Sequence, residues 1–185
     1  MTGVRVIGVG SPAGDDQAGW LVVDALRLTH LTERLACTAR IIALDRPGAQ
    51  LICELGDADV IVLIDAICTG APPGTIRRID RGECIEHGRS LSGHQLGVAS
   101  ALALADALGM LPGSVWMYGI EMQSTVANCG PSHRVIAAAQ ELARTITEEL
   151  LQKFGTPTVS TDDKIIDGGQ PTPQVQPNSS LPAPR

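Results

Sequence analysis

The sequence predicts an α/β fold: a three-layer sandwich in which helices cover both faces of a doubly wound, mostly parallel five-stranded sheet. Short runs rich in Val, Ile and Leu alternate with helical patterns along residues 1–155, as expected of successive β-α-β units. Residues 60–64 are apolar without interruption, which is typical of a parallel strand covered on both faces. Hydrophobic residues make up 44% of the 185 residues and charged residues 18%, so disorder throughout the chain is excluded.

The strands and helices can be assigned in chain order from periodicity. Apolar and β-branched runs predict strands over residues 5–9, 40–44, 60–64, 75–79 and 114–118. Apolar residues three and four positions apart predict helices over residues 18–28, 49–55, 95–108 and 132–151. The helix over residues 95–108 is apolar nearly all round, which indicates that it is well buried.

The composition changes at residue 156. Residues 156–185 hold six of the twelve prolines, no aromatic residue and little apolar periodicity. We interpret them as a disordered Pro-rich tail that follows a single domain over residues 1–155. An unselected extension is favoured over a partner-binding role.

Charge and cysteine usage exclude several classes of function. The net charge is −6, and no basic cluster exceeds the pair Arg77-Arg78, so nucleic-acid binding and anionic-membrane binding are not expected. The sequence has no apolar run long enough to span a membrane and no signal-peptide layout. The five cysteines are dispersed, which argues against a disulfide framework and indicates a reducing cytoplasm. Cys53 and Cys68 flank apolar runs and are predicted to fill the core.

Candidate site residues follow the predicted strands at their carboxyl ends, where doubly wound sheets bind ligands. Asp15 and Asp16 follow the first strand, Asp65 ends the third, and His94 begins the helix over residues 95–108. Two carboxylates and an imidazole suit a borderline divalent metal such as zinc or nickel. Without a metal, two close carboxylates could share a proton as an acid–base pair. The residues alone leave both open, together with a structural interpretation in which Asp15 or Asp16 caps the following helix.

A glycine pattern raises a third possibility. Gly8, Gly10 and Gly14 form GxGxxxG between a strand and a helix, which superficially suggests a dinucleotide site. The pyrophosphate would then lie at the helix N-terminus, where Asp15 and Asp16 would repel it. The pattern therefore disfavours nucleotide binding.

Several motifs in order resemble those of the hydrogenase maturation proteases, which trim the large subunit of [NiFe] hydrogenases. The likeness is carried by Gly8-Val9-Gly10 with Asp15-Asp16-Gln17-Ala18-Gly19, Leu63-Ile64-Asp65-Ala66, Ser92-Gly93-His94-Gln95-Leu96-Gly97, Ala71-Pro72-Pro73-Gly74-Thr75, and Leu108-Gly109 through Tyr118-Gly119-Ile120-Glu121. Each motif alone is weak, but five in family order are fairly specific. The first loop departs from the family, since Gly10 is followed by Ser11-Pro12 where Gly-Asn is usual.

The resemblance implies an α/β sandwich and a cytoplasmic, monomeric endopeptidase. It would make one cut near the C-terminus of the large-subunit precursor after nickel insertion. Asp16, Asp65 and His94 would contact the nickel, with Asp16 and Asp65 as the catalytic carboxylates and Asp45 as a substrate contact. Nickel would arrive on the precursor, and no permanent cofactor is expected. Whether a carboxylate or a metal-polarised water attacks the peptide stays open.

Two alternatives compete with this reading of the sequence. The first is a non-catalytic chaperone or checkpoint that senses nickel in the same precursor without cutting it. The second, less favoured, is a nucleotide-binding α/β enzyme.

Overall fold

The structure is a computed structural model, and it describes residues 2–56, 58–82, 98–123, 125–126 and 129–155. Its strands are β1 (Gly3–Gly10), β2 (Thr38–Asp45), β3 (Val60–Ile67), β4 (Ile76–Ile79) and β5 (Ser114–Glu121). Its helices are α1 (Ala18–Leu28), α2 (Leu31–Arg34), α3 (Gln50–Leu55), α4 (Val98–Ala107) and α5 (His133–Phe154), and a 3₁₀ turn (Gly14–Gln17) precedes α1.

The five strands form one sheet in the order β2-β1-β3-β5-β4. The pairs β1–β2, β1–β3 and β3–β5 are parallel, and β4 joins β5 antiparallel at the edge. From β1 the chain runs first to β2 on one side and then returns to β3 on the other. The point where the strand order reverses therefore lies between the carboxyl ends of β1 and β3, which is where such sheets open a crevice.

Helices cover both faces of the sheet, which confirms the predicted three-layer α/β sandwich. On one face α1 and α5 pack together over a core that includes Val22, Ile64 and Leu142. On the other face α3 and α4 cover a second core that includes Leu51 and Leu63. All eight residues of β3 are buried, as expected for the central strand of a sheet covered on both sides.

The predicted strands and helices match the observed ones within three residues at each described end, and β3, β5 and α5 each extend three residues beyond the predicted end. Strand β3 continues to Ile67, because Ala66 and Ile67 pair with the last two residues of β5. The short helix α2 was not predicted, since four residues give too little periodicity to detect. The start of the helix predicted over residues 95–108 and the predicted tail over residues 156–185 lie outside the described residues.

The prediction that Cys53 and Cys68 fill the core is wrong, and Cys84 lies outside the described residues. Cys53, Cys68 and Cys129 are exposed, and Cys37 is partly buried. Cys53 lies on the outer side of α3, whose inner side is formed by Leu51, Ile52 and Leu55, and Cys68 is the first residue after β3. Apolar neighbours in the sequence are therefore not enough to predict that these two side chains are buried.

Within the described part of the chain, no helix combines the length and apolar character that a membrane crossing requires.

Candidate active site

Two glycines bring α1 unusually close to the sheet at the carboxyl end of β1. A Cβ atom on Gly19 would collide with the backbone oxygens of Val9 and Ile64, and one on Gly8 would collide with the backbone of Gly19. Larger side chains at these positions would push the helix away from β1 and β3. Gly8, one of the three glycines that superficially suggested a dinucleotide site, therefore serves the close packing of α1 on the sheet.

The first loop (residues 11–17) holds Asp16 in a closed turn. The backbone N–H of Asp16 donates to the Ala13 carbonyl at 3.0 Å, and the Asp16 carbonyl accepts from Ser11 N–H at 3.3 Å. Gly14 has φ of +53°, a conformation that favours glycine. The side chain of Asp16 is buried, with the residue only 2% exposed. Its position is therefore set by the backbone of the turn.

Asp65 lies in β3, two residues before the strand ends, and is 7% exposed. Its Oδ1 accepts a hydrogen bond from the Ala66 N–H at 2.9 Å. Burial, and then the negative charge of Asp16, raise the pKa of Asp65 to about 8, although the Ala66 hydrogen bond opposes the shift. Asp65 is therefore protonated at neutral pH.

The two predicted catalytic carboxyl groups thus come together at the switch point between β1 and β3. Asp16 arrives from the loop after β1 and Asp65 from the end of β3, and the charge on the one acts on the ionisation of the other. A carboxyl pair that holds one proton can both donate and accept one, which is the arrangement that acid–base catalysis uses.

Asp15 differs from Asp16 in its partners. The prediction that one of the two caps a helix by its side chain is wrong, since neither the 3₁₀ turn nor α1 has a side-chain cap. Asp15 is 1% exposed, and its carboxylate accepts from the N–H groups of Gln123 at 2.8 Å and Ser132 at 2.6 Å. These amides lie in the segment after β5, and their attraction for the carboxylate explains why it does not cap.

Asp45, the predicted substrate contact, ends β2 beside this site and is exposed. Its carboxylate accepts from Arg46 Nε at 2.6 Å and from Arg46 Nη2 at 3.2 Å. The backbone of Arg46 has φ of +41°, and its N–H donates to the Gly10 carbonyl at 3.0 Å. The bond to Asp45, and more weakly the charge of Asp16, raise the pKa of Arg46. Sequence reasoning missed this cation, although it directly follows Asp45.

A fourth buried carboxylate, Glu121, ends β5 and was also not singled out as a candidate. Its oxygens accept from the backbone N–H and hydroxyl of Thr69, at 2.7 and 2.8 Å, and from the Gly70 N–H at 2.8 Å. Glu121 is a polar residue at the carboxyl end of a strand, the same signal that pointed to Asp65, so it could have been predicted on that ground. Because its oxygens are occupied by these bonds, Glu121 fixes the loop after β3, and we assign the acid–base chemistry to Asp16 and Asp65.

His94, the third predicted metal contact, lies outside the described residues. Among the described residues, no group of three or more His, Cys, Asp and Glu side chains could hold a metal ion. The described part of the site therefore offers two carboxylates, Asp16 and Asp65, and a metal held there would need a further ligand.

A sequence comparison identifies the family to which this chain belongs. Residues 23–149 match the sequence model of a family described as hydrogenase maturation protease. The chain belongs to the hydrogenase maturation proteases. The matched range contains Asp45, Asp65 and His94, and it begins after the loop that carries Asp16.

Individual relatives of this maturation protease agree in sequence and structure. It is 28% identical over 171 residues to the hydrogenase expression/formation protein HupD of Thiocapsa roseopersicina, covering 89% of this chain and 74% of that protein. It is similar to the hydrogenase maturating endopeptidase HybD from Escherichia coli, with a TM-score of 0.65 at 25% identity over 80% of this chain and 93% of that one. A hydrogenase 2 maturation peptidase from a Thaumarchaeota archaeon gives a TM-score of 0.55 at 27% identity, over 80% and 97% of the two chains.

Proposed function

We propose that this protease removes the C-terminal peptide of a [NiFe] hydrogenase large-subunit precursor after nickel has been inserted, and that it recognises the nickel. The observation that carries the proposal is the buried pair of Asp16 and Asp65 at the switch point of the sheet. The names of its relatives, which include a hydrogenase maturating endopeptidase, support the substrate class.

Recognition of nickel would follow from the electrostatics of the carboxyl pair. In the free protein Asp65 holds a proton because burial and Asp16 disfavour a second negative charge. A divalent cation carried by the precursor would offset both charges, so Asp65 would release its proton as the cation binds. A precursor without nickel brings no such charge and would dock less tightly.

His94 would complete the contact with the nickel. An imidazole nitrogen beside two carboxylate oxygens is a ligand set that suits borderline divalent metals. The nickel belongs to the substrate in this proposal, and the protease needs no metal of its own.

Cleavage would use the same carboxyl groups once the peptide is placed. Two routes are chemically available: attack on the peptide carbonyl assisted by a carboxylate acting as general base, and attack by a water polarised by the nickel. In both, a carboxylate of the pair would take a proton from the attacking water and pass it to the departing amine, so cleavage does not need the proton that Asp65 releases when the cation binds. Asp45 would contact the substrate from the end of β2, with Arg46 fixing its carboxylate.

The proposal is tested by substituting the carboxyl pair. Asp16→Asn and Asp65→Asn keep the size of the side chains and remove their ability to ionise and to transfer a proton, so we expect each to slow processing of nickel-loaded precursor by at least about a hundredfold. Processing is followed by intact-mass analysis after circular dichroism has shown that each variant is folded. Full-rate processing of the precursor by a folded Asp65→Asn variant would contradict the proposal.

Glu121→Gln is the matched control for this experiment. It also neutralises a buried carboxylate at the carboxyl end of the sheet, but one whose oxygens are occupied by Thr69 and Gly70. We expect it to lower the melting temperature, because a neutral amide binds these donors more weakly than a carboxylate does. Processing should stay within about threefold, because the amide oxygen can still accept both backbone N–H bonds that Oε1 accepts.

A further inference from the structure

Asp15 is a buried carboxylate that the proposed chemistry does not use. It is 1% exposed, and its two oxygens are each bonded to a backbone N–H, Oδ1 to Ser132 and Oδ2 to Gln123. Both donors belong to the segment after β5, more than a hundred residues along the chain. Hydrogen bonds from amides to an ionised carboxylate are among the stronger ones in proteins. Asp15 therefore joins the first loop to a distant segment.

A third hydrogen bond links the same two segments. The N–H of Gly14 donates to the Cys129 carbonyl at 3.1 Å. Gly14 and Asp15 form the first half of the 3₁₀ turn, and Asp16 is the next residue. The peptide that carries Asp16 is thus held on its N-terminal side by bonds to the segment before α5. It could not shift relative to that segment without breaking them.

We propose that Asp15 is a positioning residue: by binding the backbone before α5, it fixes the turn that places Asp16 beside Asp65. Its consequence for processing rests on the proposed function, whereas the positioning of Asp16 is a property of the protease alone. Asp15 differs from Asp16 in acting on its neighbour and not on the substrate.

Substitutions at two positions separate this role from general stabilisation. Asp15→Asn leaves one acceptor oxygen where the structure uses two. Ser132→Pro removes the N–H that Asp15 accepts, and the φ of Ser132, −69°, already suits proline. Ser132→Ala is the matched control, because it removes the hydroxyl that caps α5 through the Val135 N–H and keeps the backbone donor.

The first test needs no substrate. Amide hydrogen exchange is measured by NMR in the full-length protein and in the three variants. We expect the Asp16 amide, bonded to Ala13 in the native turn, to exchange at least about tenfold faster in Asp15→Asn and Ser132→Pro, and within about twofold of wild type in Ser132→Ala. Unchanged protection of the Asp16 amide in Asp15→Asn and Ser132→Pro would overturn the proposal.

The second test asks whether Asp15 acts through Asp16. Alone, Asp15→Asn should lower kcat/KM for the nickel-loaded precursor by about tenfold or more, because small misplacements of a reacting group are costly. Added to Asp16→Asn, it should cost less than about twofold, since the group that it positions is already disabled. Additive losses would contradict the inference. If the wild-type protein cleaves no precursor, the proposed function fails, and the exchange experiment still decides whether Asp15 positions Asp16.

Discussion

At the scale of single residues, Asp65 makes the stability of this protein depend on pH. Its pKa is about 8 in the folded protein, against 3.8 for the side chain in the unfolded state. Between these values the folded state binds more protons than the unfolded state, so the free energy of unfolding falls as pH rises. Each unit of pKa difference corresponds to about 1.4 kcal/mol, which makes the effect large for one side chain.

We therefore expect Asp65→Asn to remove most of the loss of stability between about pH 5 and pH 8.5, because the amide has no proton to lose. Urea unfolding at several pH values measures this. The wild-type protein should lose a few kcal/mol over the range, and the variant should become the more stable of the two at the alkaline end. Parallel pH profiles for the two proteins would contradict the protonation assigned to Asp65.

The proton on Asp65 also makes binding of the precursor depend on pH. If the nickel of the precursor displaces this proton, the affinity for the nickel-loaded precursor should rise by up to about tenfold per pH unit below pH 8 and level off above pH 8. Titration calorimetry in two buffers of different ionisation enthalpy should detect release of about one proton per complex. An affinity for the nickel-loaded precursor that does not change between about pH 6 and pH 8 would exclude Asp65 as the group that loses a proton when the metal binds.

At the scale of elements, the contact between α1 and the sheet places the first loop. Gly19→Ala would set a methyl group against the carbonyls of Val9 and Ile64 and force α1 outward. We expect a loss of about 1–3 kcal/mol in the free energy of unfolding, typical of overpacking. Processing should fall as well, because the turn with Asp16 leads directly into α1.

Gly113→Ala is the control for this prediction. A Cβ at Gly113 would meet no atom within 4 Å, so we expect a change within about 0.5 kcal/mol. Thermal unfolding and intact-mass analysis compare the two variants. Equal effects of the two substitutions would show that the close approach of α1 is unimportant.

The elements themselves could be predicted from the sequence because each carries a strong period or a continuous apolar run. The helix of residues 18–28 was predicted to the residue, since its apolar positions recur at helical spacing. The extra residues of β3 could not be predicted, because Ala66 and Ile67 are held in the strand by pairing with Ile120 and Glu121. Such register is a tertiary property that local sequence does not encode.

At the scale of the whole molecule, the last described residues, 154 and 155, bond back to the segment after α2. Gly155 forms a β-bridge with Leu35, and the Phe154 carbonyl accepts from the Ala36 N–H at 2.7 Å. The end of α5 is thereby fastened to the segment after α2. Among the described residues, the contacts that fasten the end of α5 therefore lie before residue 156.

We expect deletion of residues 156–185 to leave the melting temperature within about 2 °C and processing within about twofold of the full-length protein. Thermal unfolding and intact-mass analysis of the truncated chain measure both. A tenfold or greater loss of processing with an unchanged melting temperature would instead assign residues 156–185 a role in substrate binding.

The candidate site could be located from the sequence but not worked out in detail. Parallel strands place Asp16 and Asp65 at the same edge of the sheet, so their meeting followed from the topology. The partners of Asp15 and the ion pair between Asp45 and Arg46 did not, because they depend on side-chain and loop geometry. Asp15 and Asp16 are neighbours in the sequence with the same side chain, and only the packing of the segment after β5 separates their roles.

We propose that this protease cuts a large-subunit precursor only when nickel is in place. Intact-mass analysis of a [NiFe] hydrogenase large-subunit precursor, incubated with the protein with and without loaded nickel, tests it most directly. We predict the loss of one C-terminal peptide from the nickel-loaded form alone. Equal cleavage of both forms would contradict recognition of the metal, and a stable complex with nickel-loaded precursor of unchanged mass would contradict proteolysis and favour a checkpoint that binds without cutting.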